Sequence, residues 1–159
     1  MIKITLIEKN ELPQCASILR DIYNNNVLNE GWTVESSNAI CTFYFKVNPD
    51  LFFVAKKENE VVGFIFSYIK PWANGNQLMI EELSVKETYR KQGIASQLLK
   101  MLVKKAQRKY NIACVNGTTY SGEGKMPFSW YERIGFKKVE DLFLIKGNPN
   151  DILIYIKEK

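Results

Sequence analysis

From 2 to 7 apolar and polar positions alternate, with Ile2, Ile4 and Leu6 on one side and Lys3 and Thr5 on the other, which predicts a strand. Leu12, Cys15, Ile18, Leu19 and Ile22 then recur at helical spacing, so a helix is expected over 12–24, ended by Asn24, Asn25 and Asn26. A less regular helix is expected over 33–45, with Thr33 or Ser36 as its cap. A short apolar strand over 51–55 follows. The polar run 57–60 turns the chain into a strand over 61–69, and Asn74-Gly75 turns it again into a strand over 77–85. These three strands read as an antiparallel meander.

The clearest helix covers 94–110. Ile94, Leu98, Leu102 and Ala106 repeat every four residues, Leu99 and Val103 widen the stripe, and Lys100, Lys104, Lys105, Arg108 and Lys109 fill the rest. Several of these cations lie near the helix C-terminus, where they suit the dipole. A strand over 112–118, reached by a βαβ crossover, is expected next. A short helix over 127–134 is closed by Gly135, and strands over 136–145 and 152–156 complete the chain. The order β-α-α-β-β-β-α-β-α-β-β predicts an α/β (α+β) fold, a mixed central sheet of about seven strands flanked by about four helices, in one domain over 1–159.

Composition narrows the chemistry. Of 159 residues 46% are hydrophobic, which suits a folded domain, and no apolar run reaches the length of a membrane span. The start, Met1 to Thr5, lacks the pattern of a secretory signal, so a soluble cytoplasmic protein is expected. There is no histidine, and Cys15, Cys41 and Cys114 are far apart. That argues against a Cys/His zinc site and against imidazole bases, and it makes buried, reduced thiols the expectation for the cysteines. Proton transfer is left to Glu, Asp, Tyr, Lys, a terminus or water. The net charge of +5 favours an anionic partner.

The stretch from Glu81 to Ala95 carries the most chemistry. A strand enters a short loop, and the loop opens the best helix. Gly93 and Ala95 put almost no side chain at the helix start, where backbone N–H groups lack intrahelical acceptors and the dipole favours an anion. Arg90 and Lys91 add charge beside them. On local physics alone a diphosphate cradle and an ordinary glycine-started helix are both open.

Order and spacing favour the cradle. Arg90-x-x-Gly93-x-Ala95 follows Glu82-Leu83-x-Val85, and Trp130-Tyr131-Glu132-Arg133-Ile134-Gly135-Phe136 comes later. The chain here resembles the GNAT superfamily of N-acetyltransferases. The resemblance implies a GNAT-like sheet, acetyl-coenzyme A as cosubstrate and no metal. It implies that strands 77–85 and 112–118 splay apart around the pantetheine arm, with Leu83, Ser84 and Val85 pairing with that arm. The backbone at Gln92, Gly93, Ile94, Ala95 and Ser96, helped by Arg90 and Lys91, would hold the pyrophosphate. Tyr131 matches the tyrosine that protonates the coenzyme A thiolate. The family's asparagine before that helix has no counterpart in 121–127.

Acetylating an amine needs a neutral nitrogen, although a free amine titrates near about 10. Glu81 and Glu82 are candidates for taking that proton, through a water. Plain alternation would put Glu81 with Leu83 and Val85 on one side and Glu82 with Ser84 on the other, unless a bulge intervenes. The expected activity is direct transfer to a primary amine of a small molecule, with a protein N-terminus as another acceptor; the oligomeric state is left open, with the resemblance allowing a homodimer. No nucleic acid or membrane partner is expected. One rival is a coenzyme A-binding module without catalysis, and the other is a nucleic-acid-binding domain using the basic helix 94–110. The run Gly122 to Lys125 lacks the spacing of a phosphate loop and reads as a mobile loop. Trp32, Tyr44 and Phe45 flank the second helix, where core packing and the wall of an amine pocket are both open to them.

Overall fold

The computed structural model describes residues 1–25, 27–120, 128–142 and 144–155. They group into two compact units, Met1–Met126 and Pro127–Lys159.

The first unit is a five-stranded sheet with helices on its faces. Its elements are β1 (Ile2–Leu6), α1 (Leu12–Tyr23), α2 (Val34–Val47), β2 (Phe52–Lys57), β3 (Glu60–Lys70), β4 (Asn76–Val85), α3 (Ile94–Tyr110) and β5 (Ile112–Gly117). The strands lie in chain order. Neighbours from β1 to β4 are antiparallel, and β5 joins β4 in parallel through α3, the expected crossover. The expected meander is therefore β2–β3–β4. Thr33 caps α2, accepting from the Ser36 backbone N–H, and Ser36 reaches back to the Thr33 N–H.

Two apolar layers hold these elements. Phe52, Val54, Phe64 and Phe66 project from one sheet face into a cluster with Leu12, Cys15, Ala16, Ile18 and Leu19 of α1 and Cys41 of α2. The alternate residues Phe53, Ile65, Leu83 and Val85 are buried too, and so are Leu98, Leu102 and Ala106 of α3, which packs on β2, β3 and β4. Sheet alternation thus gives α1 and α2 one face and α3 the other. Cys15 and Cys41 are buried free thiols as expected, whereas Cys114 is exposed on β5, the last strand of the sheet.

The second unit contains α4 (Phe128–Arg133) and α5 (Pro149–Tyr155). Here the expected closing strands are corrected. Among the described residues the sheet has five strands rather than about seven. Residues 136–142 and 144–145 form no ladder, and a turn at Glu140 and Asp141 interrupts them. From Ile152 to Tyr155 the chain is helical. Asn148 accepts from the Asn150 N–H at 2.9 Å, and Pro149 occupies the first turn, where its missing N–H costs nothing. Those start signals outweigh the apolar pattern. Phe143 and Ile156, parts of the two expected strands, lie outside the described residues, as do Asn26 and the expected loop and helix start over 121–127. Among the described residues no helix is long and apolar enough to cross a membrane.

Candidate active site

Residues on β4 are set by two ladders that end or shift within it. On one side β5 pairs from Asn76↔Ile112 to Ile80↔Gly117 and stops, while β4 continues to Val85. The stretch from Glu81 to Val85 therefore runs past the end of that ladder. On the other side the β3 register steps from Ser67↔Ile80 to Phe66↔Glu82, which makes Glu81 the extra residue of a β-bulge.

The bulge corrects the expected alternation of the two glutamates. Phe66 faces α1 and α2, so its partner Glu82 does as well, and Ser84, opposite Phe64, follows. Glu81 is turned toward the same side. The hydroxyl of Tyr44, stacked on Phe66 at 4.4 Å, is pushed up by burial and then by a hydrogen bond to Glu81. The Tyr68 hydroxyl is raised by burial and by the same carboxylate. Glu81 is exposed and Glu82 half-buried.

Glu82 is held at both oxygens. Tyr23 donates its hydroxyl to Oε2 at 2.7 Å, and Ser84 donates Oγ to Oε1 at 2.5 Å. Burial lifts the Glu82 carboxyl above its ordinary value, against the pull of Ser84, Tyr23 and the Leu83 N–H. Tyr23 is driven up by burial and by Glu82 itself. Its ring lies 6.0 Å from Trp32 and 6.3 Å from Tyr120. Glu30 joins this group, accepting from Trp32 Nε1 at 3.0 Å and from the Tyr120 hydroxyl, which is pushed up to about 12 by burial and by Glu30. The loop carrying Glu30 and Trp32 is pinned by Asn24, whose side chain bridges the Trp32 N–H and C=O at 2.7 Å each.

Beyond Val85 a short turn of 3₁₀ helix, Glu87–Tyr89, leads to α3. Lys91 has φ 61° and Gly93 φ 77°, the left-handed turn that swings the chain into the helix. Gly93 is the N-cap and gives no side-chain cap, and the first intrahelical bond runs from the Gln97 N–H to the Gly93 C=O at 3.0 Å. The N–H groups from Gly93 to Ser96 thus face the region ahead of the helix without intrahelical acceptors. A Cβ placed on Gly93 would meet nothing nearer than Gln97 Nε2 at 4.0 Å, so that space is open. Lys91, Gln92 and Ser96 are exposed, Ala95 is half-buried, and Ile94 anchors the helix in the core. Arg90 is exposed and donates Nε to the Val85 carbonyl at 3.2 Å, tying the loop to the strand end. Leu83, Ser84 and Val85 have buried side chains, so what they offer a ligand is backbone.

The structure thus brings Glu81 to Val85 and Arg90 to Ser96 into one strand–loop–helix track. Tyr131 belongs to the other unit, on α4, with its ring 4.8 Å from Trp130 and 5.5 Å from Phe136. Gly135 closes that helix with φ 100°. Tyr23, Glu30 and Tyr120 were not singled out by sequence reasoning. Only Tyr23 leaves a signal there, since it extends the buried stripe Leu12, Ala16, Leu19 with a polar-tipped residue. Trp32, Tyr44 and Phe45 are partly buried and pack against the core cluster. Among the described residues no group of acidic and cysteine side chains could hold a metal ion.

The model of the Acetyltransferase (GNAT) family matches residues 12–136. No curated protein matches the sequence. Among solved structures, a transcriptional regulator from Bacillus halodurans C-125 superposes with a TM-score of 0.74 at 20% identity, covering 93% of this chain and 99% of that one. The aminoglycoside N-acetyltransferase AAC(6')-Iy, in complex with a bisubstrate analogue built on coenzyme A, gives 0.72 at 17% identity with the same coverage. An aminoglycoside acetyltransferase from an uncultured soil metagenomic sample gives 0.71 at 19% identity, over 92% of this chain and 95% of that one.

Proposed function

Because the chain belongs to the GNAT family of acetyltransferases, we propose that it transfers the acetyl group of acetyl-coenzyme A directly to a primary amine of a small, cationic molecule. One observation carries this reading. The strand edge left beyond the β5 ladder leads, through a single turn, to an uncapped helix start with open space before it. An extended arm fits the edge, and a diphosphate fits the helix start.

Leu83, Ser84 and Val85 would pair with the pantetheine arm through their backbone. The N–H groups at Gln92, Gly93, Ile94, Ala95 and Ser96 would hold the diphosphate, with Arg90 and Lys91 supplying positive charge. When bound, acetyl-coenzyme A supplies a thioester whose acyl carbon a neutral amine can attack. Glu82 takes the proton of the incoming ammonium, directly or through a water. Its raised carboxyl suits that task, since a base works best when its titration lies near the working pH. Glu81, exposed beside it, offers charge to the ammonium form. Interruption of the ladder at Glu81 is the condition under which a backbone N–H of this strand can turn toward an acyl oxygen. The family match gives Tyr131 the role of supplying a proton to the leaving thiolate.

The acceptor's cationic character is read from Glu30 and Glu82 standing among Tyr23, Trp32 and Tyr120, and from Glu81 beside Tyr44 and Tyr68, because carboxylates and aromatic faces both attract ammonium groups. Two structural neighbours named as aminoglycoside acetyltransferases agree with this class. The test offers acetyl-coenzyme A with polyamines, aminoglycosides, amino-acid amides and free-N-terminus peptides, and follows release of thiol. Turnover with small polycations is expected. Turnover with peptides alone would move the acceptor to protein N-termini. Calorimetric binding without turnover of any amine would favour the non-catalytic module.

A further inference from the structure

Two donors from different parts of the fold converge on one carboxylate. Tyr23 is the last residue of α1, and Ser84 lies two positions beyond Glu82 on β4. The Tyr23 hydroxyl reaches Oε2 and the Ser84 hydroxyl reaches Oε1, so the plane of the carboxylate is fixed as well as its position. Tyr23 is itself braced. Trp32 and Tyr120 lie against its ring, and its carbonyl accepts the Glu30 N–H at 2.9 Å.

We infer that Tyr23 is a positioning residue, which holds the Glu82 carboxylate in the orientation and ionised state that proton removal from the acceptor amine requires. The inference rests on the reading of Glu82 as the base. Both hydroxyls hydrogen-bond the charged form and so oppose burial, which favours the protonated one. The groups facing Glu82 make that pressure concrete. Cys41 lies on α2, Glu30 in the loop after α1, Tyr120 after β5 and Tyr23 on α1, and none of them carries a positive charge. Charge on Glu30 adds to burial in disfavouring ionisation, so donor hydroxyls are what oppose it.

The consequence is a displaced titration. Tyr23→Phe keeps the ring and removes the donor. The loss of one charge-assisted hydrogen bond should raise the Glu82 titration by about one pH unit, a tenfold smaller ionised fraction below that point. The acidic limb of kcat/KM should move up equally, and the plateau at high pH should fall as well, because the orientation of the carboxylate is no longer fixed. Ser84→Ala should move the limb in the same direction, which gives a second reading if Tyr23→Phe folds poorly.

The experiment uses the full chain with 13C-labelled glutamate carboxyls. The Glu82 resonance, assigned by its loss in Glu82→Gln, is followed against pH without ligand in the unaltered protein, Tyr23→Phe and Ser84→Ala, alongside pH–rate profiles. An upward displacement in both readouts supports the inference. If Glu82→Gln removes the acidic limb but Tyr23→Phe and Ser84→Ala leave the titration in place, the positioning role is overturned and the base assignment stands. If Glu82→Gln keeps both rate and limb, the base assignment fails and the positioning role fails with it.

Discussion

Gly63 of β3 lies so close to Ser84 of β4 that a Cβ on it would stand 2.9 Å from the Ser84 carbonyl oxygen and 3.1 Å from Val85 Cγ2. The strand that carries Glu81 to Val85 is thus seated against a residue with no side chain. A backbone carbonyl cannot rotate aside, so any larger residue must push β4 outward. Gly63→Ala should destabilise the fold by roughly 1–3 kcal/mol, the usual cost of overpacking. It should also lower turnover, because the shift reaches Glu82. Thermal unfolding with steady-state kinetics would check this, and an unchanged melting temperature would mean that β3 and β4 tolerate wider spacing.

Gly93 matters for a different reason. Its φ of 77° is unfavourable for a residue with a Cβ, and the space ahead of it is open. Gly93→Val would add strain of roughly 1–3 kcal/mol and would project a side chain before the N–H groups of the helix start. Affinity for acetyl-coenzyme A should fall by about tenfold or more, since each 1.4 kcal/mol is a factor of ten. Calorimetry on the folded variant would measure this. Unimpaired binding would place the diphosphate elsewhere.

Much of this arrangement is legible from residues close together in sequence. The stripe from Ile94 to Ala106 marks α3 at its observed bounds, Ile94–Tyr110, and the spacing of Arg90, Gly93 and Ala95 marks its start. Relationships across the fold are another matter. The bulge at Glu81 is a property of the β3–β4 register, which side-chain alternation within β4 does not encode. Tyr23 and Glu82 are 59 positions apart, and only the packing of α1 on the sheet joins them. At the chain's end Asn148 and Pro149 signal a helix start, and the strand reading of 152–156 gave that local signal too little weight.

Because the bulge turns both glutamates toward α1 and α2, their substitutions should part in kind. Glu82→Gln removes the base, and kcat/KM should drop by roughly 10²–10⁴. Glu81 is exposed and contributes charge, so Glu81→Gln should mainly raise KM for cationic amines, with an effect that fades as salt screens it. Kinetics at low and high ionic strength separate the two. A larger loss of kcat from Glu81→Gln than from Glu82→Gln would exchange their roles.

Holding Glu82 ready as a base has a stability consequence with a definite sign. Its folded-state titration is raised, chiefly by burial. Between the unfolded and folded values the native state therefore binds more protons. Stability accordingly falls as pH rises through that window, and the penalty is fully present above the folded value. Glutamine at this position does not titrate, so Glu82→Gln escapes the penalty while still offering an oxygen to Tyr23 or Ser84. The melting temperature of Glu82→Gln, relative to the unaltered protein, should climb as pH rises from the ordinary carboxylate range through the raised folded-state titration of Glu82. Parallel melting curves across that range would mean that Glu82 titrates alike in the folded and unfolded chain, leaving its burial without electrostatic effect.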